Sequence, residues 1–372
     1  MEISNDKRSL LFIGPFPPPI HGESVAMELL YSSEKLHTLF KIKKMDTNRK
    51  STNKQGAFSI GKIIADVWLI CYSLVLTLWL KNPIIYLSIS QSKLGLFRDC
   101  IIIYVCSLCK AKIVTHLHGN NLSNIIEESV GHTRKFFESS LTKVDIGIVL
   151  GASLTFNYRG LVKRVKVVSN GVPIDFITRE DMEGKKENEC VTLLYLSNLI
   201  SSKGYITLVE AVCALIKEGL TIRLNLVGAP YDEEECSKVM DVIKENHVED
   251  KVLFHGVKTG DEKKNFLLKA DMMVLPTNYK IEGQPISIIE GMAAGLPIIS
   301  SNRGAIPDLI KGCGIIIEPK PSEIKNAIQA LYNDAAYSRK LGLASRVKYE
   351  NEHTDTVYIN SLINIFNEVV GD

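Results

Sequence analysis

Residues 272–300 read MMVLPTNYKIEGQPISIIEGMAAGLPIIS. The apolar run Met272–Leu275 predicts a buried strand, and the run Ile298–Ser300 predicts a second one. Between them the sequence predicts a helix, because Pro285 suits a first helical turn and Pro297 ends the pattern. This stretch therefore predicts one strand–helix–strand unit of a parallel sheet.

The same alternation continues along most of the 372-residue chain. Short apolar, β-branched runs are separated by longer helical patterns, which indicates doubly wound α/β structure with strands covered on both faces. The other predicted strands are Leu10–Gly14, Ile84–Ile89, Ile113–Leu117, Ile146–Leu150, Val165–Val168, Val191–Leu196, Ile222–Val227, Val252–Phe254 and Ile315–Ile317.

A polar, charge-rich stretch from Pro173 to Glu189 separates two sets of strands and predicts a domain boundary. We therefore predict two Rossmann-like domains, an N-terminal one over residues 1–173 and a C-terminal one over residues 188–353. Residues 354–372 carry apolar side chains at helical spacing and predict a terminal amphipathic helix.

Charge is distributed unevenly between the two halves. The chain has a net charge of +2, but residues 1–173 carry 22 Lys and Arg against 12 Asp and Glu, whereas residues 174–372 carry 22 against 30. A basic first half suggests an anionic partner, such as lipid headgroups, a lipid-linked diphosphate or nucleic acid. A scattered, solvated basic surface is the alternative.

One segment, Ile63–Leu80, is almost wholly apolar over a length at the lower edge of a membrane span. Asp66 and Tyr72 favour a buried or interfacial helix, and the flanking Lys62 and Lys81 would suit a membrane surface. The N-terminus lacks a signal-peptide pattern, and most of the eight cysteines lie in apolar runs. We therefore expect a cytoplasmic protein at the inner face of the membrane, contacting it peripherally through the N-terminal domain.

Two loops of the N-terminal domain are candidate ligand contacts. The loop Gly14–Gly22 lacks the dinucleotide-binding glycine spacing, but Gly22 would let a backbone amide approach a phosphate; a rigid structural connection is the alternative. His118, beside Gly119 at a strand end, is placed to meet a substrate, although a lone histidine is more often a structural residue. A metal pair with His116 lacks an apparent third ligand.

In the C-terminal domain, Lys203 stands just before a helix that begins near Tyr205. A cation is misplaced at a helix N-terminus unless an anion binds there, so Lys203 is a candidate diphosphate ligand. The stretch Glu282–Glu290 offers backbone amides near Gly283 for an anion and two carboxylates for sugar and ribose hydroxyls. A capped surface helix with incidental acids is the alternative.

The block Glu282–Glu290, followed by GMAAGLPII, resembles the E-x7-E signature of the retaining family 4 glycosyltransferases. Weaker similarity lies in Asn302–Leu309, in Ser169–Val172 and in Leu196–Gly204. The resemblance implies a GT-B fold, in which two Rossmann-like domains face each other across a cleft and the last helix crosses back to the first domain.

The resemblance also implies roles. Glu290 would bind the donor ribose, Glu282 would contact the transferred sugar and Lys203 would stabilise the diphosphate, with His118 beside the anomeric centre. Asn198 departs from the family, which often has an arginine early in this loop. The implied donor-binding set is Gly22, Asn198, Lys203, Gly283, Gln284, Pro285, Ile286 and Glu290.

The implied activity is metal-independent, retaining transfer of a sugar from a nucleotide diphosphate, with a UDP-sugar favoured as donor substrate and no cofactor. The implied acceptor is lipid-linked or a saccharide, in cell-surface polysaccharide or lipid-linked oligosaccharide assembly, and no nucleic acid partner is expected. A GT-B-like sugar-nucleotide epimerase and a non-catalytic nucleotide-sugar-binding protein remain alternatives, the latter because of Asn198. The missing glycine fingerprint disfavours a dehydrogenase.

Overall fold

The computed structural model divides into two compact units. The first comprises Met1–Ser169 with Tyr358–Asp372, and the second comprises Asn170–Val357. All eight cysteines are free thiols. The residues that the structure describes are 7–48, 60–80, 82–184 and 190–371.

The first unit contains a parallel six-stranded sheet with the order β2-β1-β3-β4-β5-β6. Its inner strands are the predicted apolar runs, and they are buried because helices cover both faces. Strand β2 was not predicted, because its sequence KIKKMD is mostly exposed lysine. The strands are β1 (Ser9–Gly14), β2 (Lys41–Asp46), β3 (Ile84–Ser88), β4 (Lys112–Leu117), β5 (Ile146–Val149) and β6 (Arg164–Val167).

Six helices connect these strands in the residues that the structure describes. Helices α3 and α4 pack against each other, as do α4 and α6. None of the helices in the described part of the chain is long and apolar enough to cross a membrane. The helices are α1 (Gly22–Tyr31), α2 (Glu34–Leu39), α3 (Ile60–Trp79), α4 (Lys93–Leu108), α5 (Leu122–Glu127) and α6 (Gly131–Leu141), followed by a 3₁₀ helix at Ala152–Tyr158.

The second unit contains another parallel six-stranded sheet, with the order β12-β11-β10-β7-β8-β9. Its strands coincide with the predicted apolar runs to within one residue. They are β7 (Val191–Leu196), β8 (Ile222–Val227), β9 (Val252–Phe254), β10 (Met272–Leu275), β11 (Ile298–Ser301) and β12 (Gly314–Ile317).

The helices of the second unit begin in the stretch predicted to link the domains. Ile177 is buried in the core of the second unit, so this stretch is partly structured. The helices are α7 (Arg179–Glu183), α8 (Tyr205–Lys217), α9 (Glu233–Glu245), α10 (Gly260–Lys269), α11 (Ile286–Ala293), α12 (Ile306–Leu309), α13 (Pro321–Asn333) and α14 (Ala335–Glu352), with a 3₁₀ turn at Ser201–Lys203. The last helix of the chain, α15 (Asp355–Gly371), lies mostly in the first unit.

The terminal helix α15 completes the core of the first unit. Its apolar side is buried against the sheet, with the ring centroid of Phe366 5.6 Å from Tyr86 and 6.4 Å from Phe12. The last helix of the chain therefore crosses back to the first unit. Lys81 and the side chain of Lys62, which were predicted to flank a membrane-surface helix, lie outside the described residues.

Candidate active site

The strand order of the second unit locates its ligand-binding edge. Strands β7 and β10 are neighbours, and the chain runs from them in opposite directions across the sheet. Ligands of doubly wound sheets bind beyond the carboxyl ends of strands at such a switch point. The loop after β7 carries Lys203 and the loop after β10 carries Glu282, so the topology brings both residues to this edge.

Lys203 and Glu282 form an ion pair. The ammonium nitrogen Nζ lies 2.8 Å from Oε1 and 2.6 Å from Oε2 of the carboxylate. The hydroxyl of Thr277 donates a third hydrogen bond to Oε2 at 3.0 Å. The ammonium group also lies 4.8 Å from the ring centroid of Tyr279. The pair is thus oriented by its surroundings, which is what a site that recognises a polar ligand needs.

Backbone geometry fixes the two loops against each other. Gly204 has a φ of +83°, and a Cβ there would lie 2.1 Å from the carbonyl oxygen of Pro276. The amide of Asn278 donates to the carbonyl of Ser202 at 2.7 Å. Only glycine allows this close approach, so Gly204 is the reason that Lys203 can reach the other loop.

A third loop, after β11, supports the Glu282 backbone. Gly304 has a φ of +54°, and a Cβ there would lie 2.3 Å from the carbonyl oxygens of both Glu282 and Gly283. The amide of Ala305 donates to the Gly283 carbonyl at 2.8 Å. The position of Glu282 therefore depends on the segment Asn302–Leu309, in which the sequence resemblance continued.

Glu290 does not share the partner of Glu282. It lies buried in α11, and its Oε1 is 2.5 Å from Nζ of Lys263 in α10. Burial raises the pKa of the Glu290 carboxyl, and the charge of Lys263 opposes that shift. The two acids of the predicted motif are thus each neutralised by a different lysine. Lys263 was not predicted, because nothing distinguishes it from its charged neighbours in the helix.

Gln284, Pro285 and Ile286 lead into α11. The side-chain oxygen of Gln284 accepts a hydrogen bond from the amide of Asn170 at 2.7 Å, so Gln284 holds the start of the second unit. Pro285 is the N-cap and Ile286 is the first helical residue, and no side chain in the described ranges caps the helix. The first-turn amides of α11 can therefore bind an anion.

Asn198 is exposed in the loop after β7, and its carbonyl accepts a hydrogen bond from the hydroxyl of Tyr195 at 3.0 Å. A cation nevertheless reaches the same group of loops. Nε of Arg303 donates to the side-chain oxygen of Asn278 at 3.1 Å, and Asn278 in turn contacts Ser202. Arg303 is thus connected to the loop that carries Lys203 indirectly, through Asn278.

In the first unit, Gly22 is the exposed first residue of α1, and the side chain of His21 caps that helix by accepting from the amide of Ser24. His118 follows β4 directly, and its ring centroid lies 4.1 Å from that of His116. Burial, with a smaller contribution from the charge of His21, lowers the pKa of His118 to about 3. The imidazole is therefore neutral at neutral pH.

The atom Nε2 of His118 is buried and has no hydrogen-bond partner within the described part of the chain. Glu23, which was not predicted, accepts a hydrogen bond from the hydroxyl of Ser88 nearby in the same unit, and burial raises the pKa of its carboxyl. The edge of this sheet therefore presents a neutral imidazole and a partly buried acid. Among the described residues, no group of three or more His, Cys, Asp or Glu side chains is placed to hold a metal ion.

Comparison with known proteins identifies the relatives of this architecture. Residues 177–348 match the family Glycosyl transferases group 1. The match includes Lys203, Glu282 and Glu290. The fold of the whole chain is the GT-B fold: HepE of Anabaena, crystallised with UDP and glucose, superposes with a TM-score of 0.71 at 14% identity, over 97% of this chain and 99% of HepE.

Curated relatives include proteins named as glycosyltransferases and one named as a synthase. The amylovoran biosynthesis glycosyltransferase AmsK of Erwinia amylovora is 28% identical over 54% of this chain and 50% of its own length, so the chain spans about half the length of this relative. The N-acetyl-alpha-D-glucosaminyl L-malate synthase of Bacillus anthracis is 26% identical over 71% of this chain and 69% of its own length.

Proposed function

We propose that this protein is a glycosyltransferase that moves a sugar from a nucleotide diphosphate to an acceptor. The observation that carries the proposal is the Lys203–Glu282 ion pair at the switch point between β7 and β10. The group 1 family match over the same unit supports it. An epimerase and a non-catalytic binding protein are less favoured, because the matched relatives are named as transferases or as a synthase.

The donor we propose is a UDP-sugar, in keeping with the UDP and glucose bound by HepE. Its diphosphate would lie between Lys203 and the N-terminus of α11. An ammonium group has three N–H donors, and the two bonds to Glu282 leave one that can reach a phosphate oxygen. The first-turn amides of α11 would supply further donors, so the charge of the diphosphate would meet a preorganised site.

Cleavage of the glycosidic bond places negative charge on the departing diphosphate and positive charge on the sugar. Lys203 would stabilise the first, because its position is already fixed by Glu282 and by the Tyr279 ring. Glu282, held by Lys203 and Thr277, would accept hydrogen bonds from the sugar hydroxyls. Glu290 would bind the ribose. We propose that no metal ion takes part.

Retention at the anomeric carbon is part of the same proposal, because the block Glu282–Glu290 resembles the signature of retaining enzymes. His118 would lie beside the anomeric centre and contribute a neutral imidazole, since burial holds its pKa far below neutrality. Gly22 would offer its backbone amide to the distal phosphate. The acceptor would attack on the face that the diphosphate leaves, which would retain the anomeric configuration without a covalent intermediate.

For the acceptor we propose a saccharide, free or linked to a lipid diphosphate, in cell-surface polysaccharide or lipid-linked oligosaccharide assembly. Relatives named for amylovoran and colanic acid biosynthesis support this context. The basic first half, with 22 Lys and Arg against 12 Asp and Glu over residues 1–173, would favour an anionic lipid-linked substrate at the inner face of the membrane.

The test is a screen of nucleotide sugars by thermal shift, followed by incubation of the stabilising donor with candidate acceptors and product analysis by mass spectrometry and NMR. We expect a UDP-sugar to stabilise the protein and to yield an α-linked product from an α-linked donor. A donor that is isomerised without any acceptor would instead identify an epimerase. Stabilisation without transfer or hydrolysis, across a broad acceptor set, would identify a binding protein.

A further inference from the structure

Helix α3 is apolar on two opposite sides. One side packs into the first unit, where Leu69, Ser73 and Leu76 are buried and the hydroxyl of Thr77 contacts the thiol of Cys106 in α4 at 3.3 Å. The other side is exposed and follows the helical spacing of three and four residues. We call this exposed side the outer stripe, and its residues are Ile64, Val67, Trp68, Val75, Leu78 and Trp79.

The outer stripe carries no charged side chain. The acid in this helix, Asp66, is paired with Arg98 of α4 at 3.7 Å, so its charge is directed toward the neighbouring helix. A helix on the surface of a water-soluble domain normally turns polar residues outward. A continuous apolar face of this kind therefore marks a surface that binds something.

Aromatic rings and lysines border the outer stripe. Trp68 stacks on Tyr72 with their ring centroids 4.9 Å apart, and Trp79 at the end of the helix lies under the ammonium group of Lys41, 5.5 Å from the ring. Lys43 follows Lys41 at the two-residue spacing of strand β2, so both lysines project from the same face of the sheet. The neighbouring helix α4 has a similar pair: the ammonium group of Lys143 lies 4.9 Å from the ring centroid of the exposed Tyr104.

This combination is specific for one kind of partner. Tryptophan and tyrosine favour the boundary between lipid headgroups and acyl chains, and lysines beside them can reach lipid phosphates. The excess of basic residues in the first half adds attraction to a negatively charged surface. A protein partner would fit the apolar stripe, but it would not require a lysine placed over the ring of Trp79.

We propose that the outer stripe of α3 lies in the headgroup region of an anionic bilayer, with Lys41 and Lys43 contacting lipid phosphates. The helix lies parallel to the membrane surface, because its other side remains packed on α4. The proposal does not depend on the proposed transferase activity, since none of these residues belongs to the candidate active site.

The chain supplies its own probe. It contains two tryptophans, and both belong to the outer stripe, where Trp68 is 59% and Trp79 is 62% exposed. We expect their fluorescence to shift to shorter wavelength when vesicles of phosphatidylcholine and phosphatidylglycerol are added, and to be quenched by lipids brominated near the headgroup. Pure phosphatidylcholine vesicles should give a weaker response, and added salt should weaken the response to anionic vesicles.

Substitutions that keep both tryptophans test the surface directly. We expect Val75→Asp, or the milder Val75→Ser, to weaken binding to anionic vesicles by about tenfold or more, because either one places a polar group in the stripe. Leu343→Asp is the matched control, since Leu343 is 62% exposed in α14 of the second unit. The double variant Lys41→Gln, Lys43→Gln should lose the preference for anionic over zwitterionic vesicles.

The proposal fails if the wild-type protein leaves the fluorescence unchanged with anionic vesicles, or if both Val75 variants bind as the wild type does while keeping its unfolding transition. It also fails if the protein self-associates and Val75→Ser abolishes that association, because the stripe would then bind a second copy. Transfer to a water-soluble acceptor, measured without vesicles, should be unchanged in Val75→Ser. A loss of vesicle binding with normal transfer would therefore separate this surface from the active site.

Discussion

The ammonium nitrogen of Lys203 lies 2.6 Å from Oε2 of Glu282, although the two residues are 79 positions apart in the chain. Their side chains are only 15% and 6% exposed. Removing one member of such a pair leaves a buried charge without its partner. Substitutions at this site therefore affect stability as well as chemistry, and the two effects must be measured separately.

Replacing Lys203 by methionine should lower the turnover number by about 10²-fold, because the departing diphosphate loses its fixed cation. The same change should lower the free energy of unfolding by about 3 kcal/mol, since Glu282 is left buried and unpaired. Initial rates at saturating donor and urea unfolding would measure the two effects.

The double variant Lys203→Met, Glu282→Leu separates them. It should recover much of the lost stability, because no unpaired charge remains, but it should not recover turnover. Lys238→Met is the matched control, since Lys238 forms an exposed ion pair with Glu234 on α9 and should change neither quantity appreciably. Turnover near that of the wild type in Lys203→Met would remove this lysine from the mechanism.

Gly304→Ala should weaken donor binding, and Gly312→Ala should not. Both glycines have positive φ, so each alanine should cost about 1–2 kcal/mol of stability. Only at Gly304 would the new Cβ strike the backbone of Glu282 and Gly283, because the space around Gly312 is open. Calorimetric titration with the donor would compare the two. Equal affinities would mean that the Glu282 loop tolerates displacement.

Glu290→Gln should weaken the binding of a nucleoside diphosphate by about tenfold or more, if its carboxylate accepts hydrogen bonds from the ribose hydroxyls. The glutamine is similar in size but does not neutralise Lys263. Glu262→Gln is the control, because Glu262 lies in the same helix as Lys263, is exposed and pairs with Lys258, which precedes the helix. Unchanged affinity together with reduced stability would assign Glu290 to structure alone.

Acidification should destabilise the first unit through His118. Its pKa in the folded protein is about 3 and its ordinary value is 6.5, so the unfolded chain binds more protons in this range. This contribution to stability is complete above pH 6.5 and falls by up to about 1.4 kcal/mol per pH unit below it. His118→Gln should reduce the slope of unfolding free energy against pH, and His132→Gln, at an exposed position of α6, is the comparison variant. Identical slopes would contradict the buried, neutral state of His118.

Phe366→Ala should destabilise the first unit by about 3–5 kcal/mol. Phe366 is wholly buried, and its ring contacts those of Phe12, Phe40 and Tyr86. The adjacent Asn367 is exposed, so Asn367→Ala should have little effect. Denaturant-induced unfolding, monitored by hydrogen exchange, would show whether the loss of stability affects the first sheet. Loss confined to the second unit would contradict the packing of α15.

Strands of the second sheet were predictable because each is a short apolar run closed by polar residues, and burial on both faces leaves few other residue types possible. Strand β2 was not, because edge strands bear charged side chains that resemble a loop. Among the strands that the structure describes, β2 has β1 as its one neighbour, so Lys41 and Lys43 need no apolar side chain and their sequence carries no apolar signal.

The candidate site was predictable only in part. Lys203 could be singled out, because its charge is unfavourable at a helix start unless an anion binds there. Its contact with Glu282 depends on a strand order that local sequence does not encode. The role of Lys263 could not be predicted, since a lysine in a charged helix has no local feature that indicates a buried partner. Gln284 was predicted to contact the sugar donor. Its side-chain oxygen accepts a hydrogen bond from the amide of Asn170, and this contact is set by tertiary packing.

The first unit is discontinuous in sequence, because its core is completed by α15. During synthesis, residues up to 169 leave the ribosome while the side chains that cover Phe12 and Tyr86 have not yet been made. Residues 170–357 must be translated before α15. The apolar face of the N-terminal sheet that α15 covers therefore stays exposed while a whole domain is synthesised. That interval is when a chaperone would have most to protect, and it makes the second unit the first one able to finish folding.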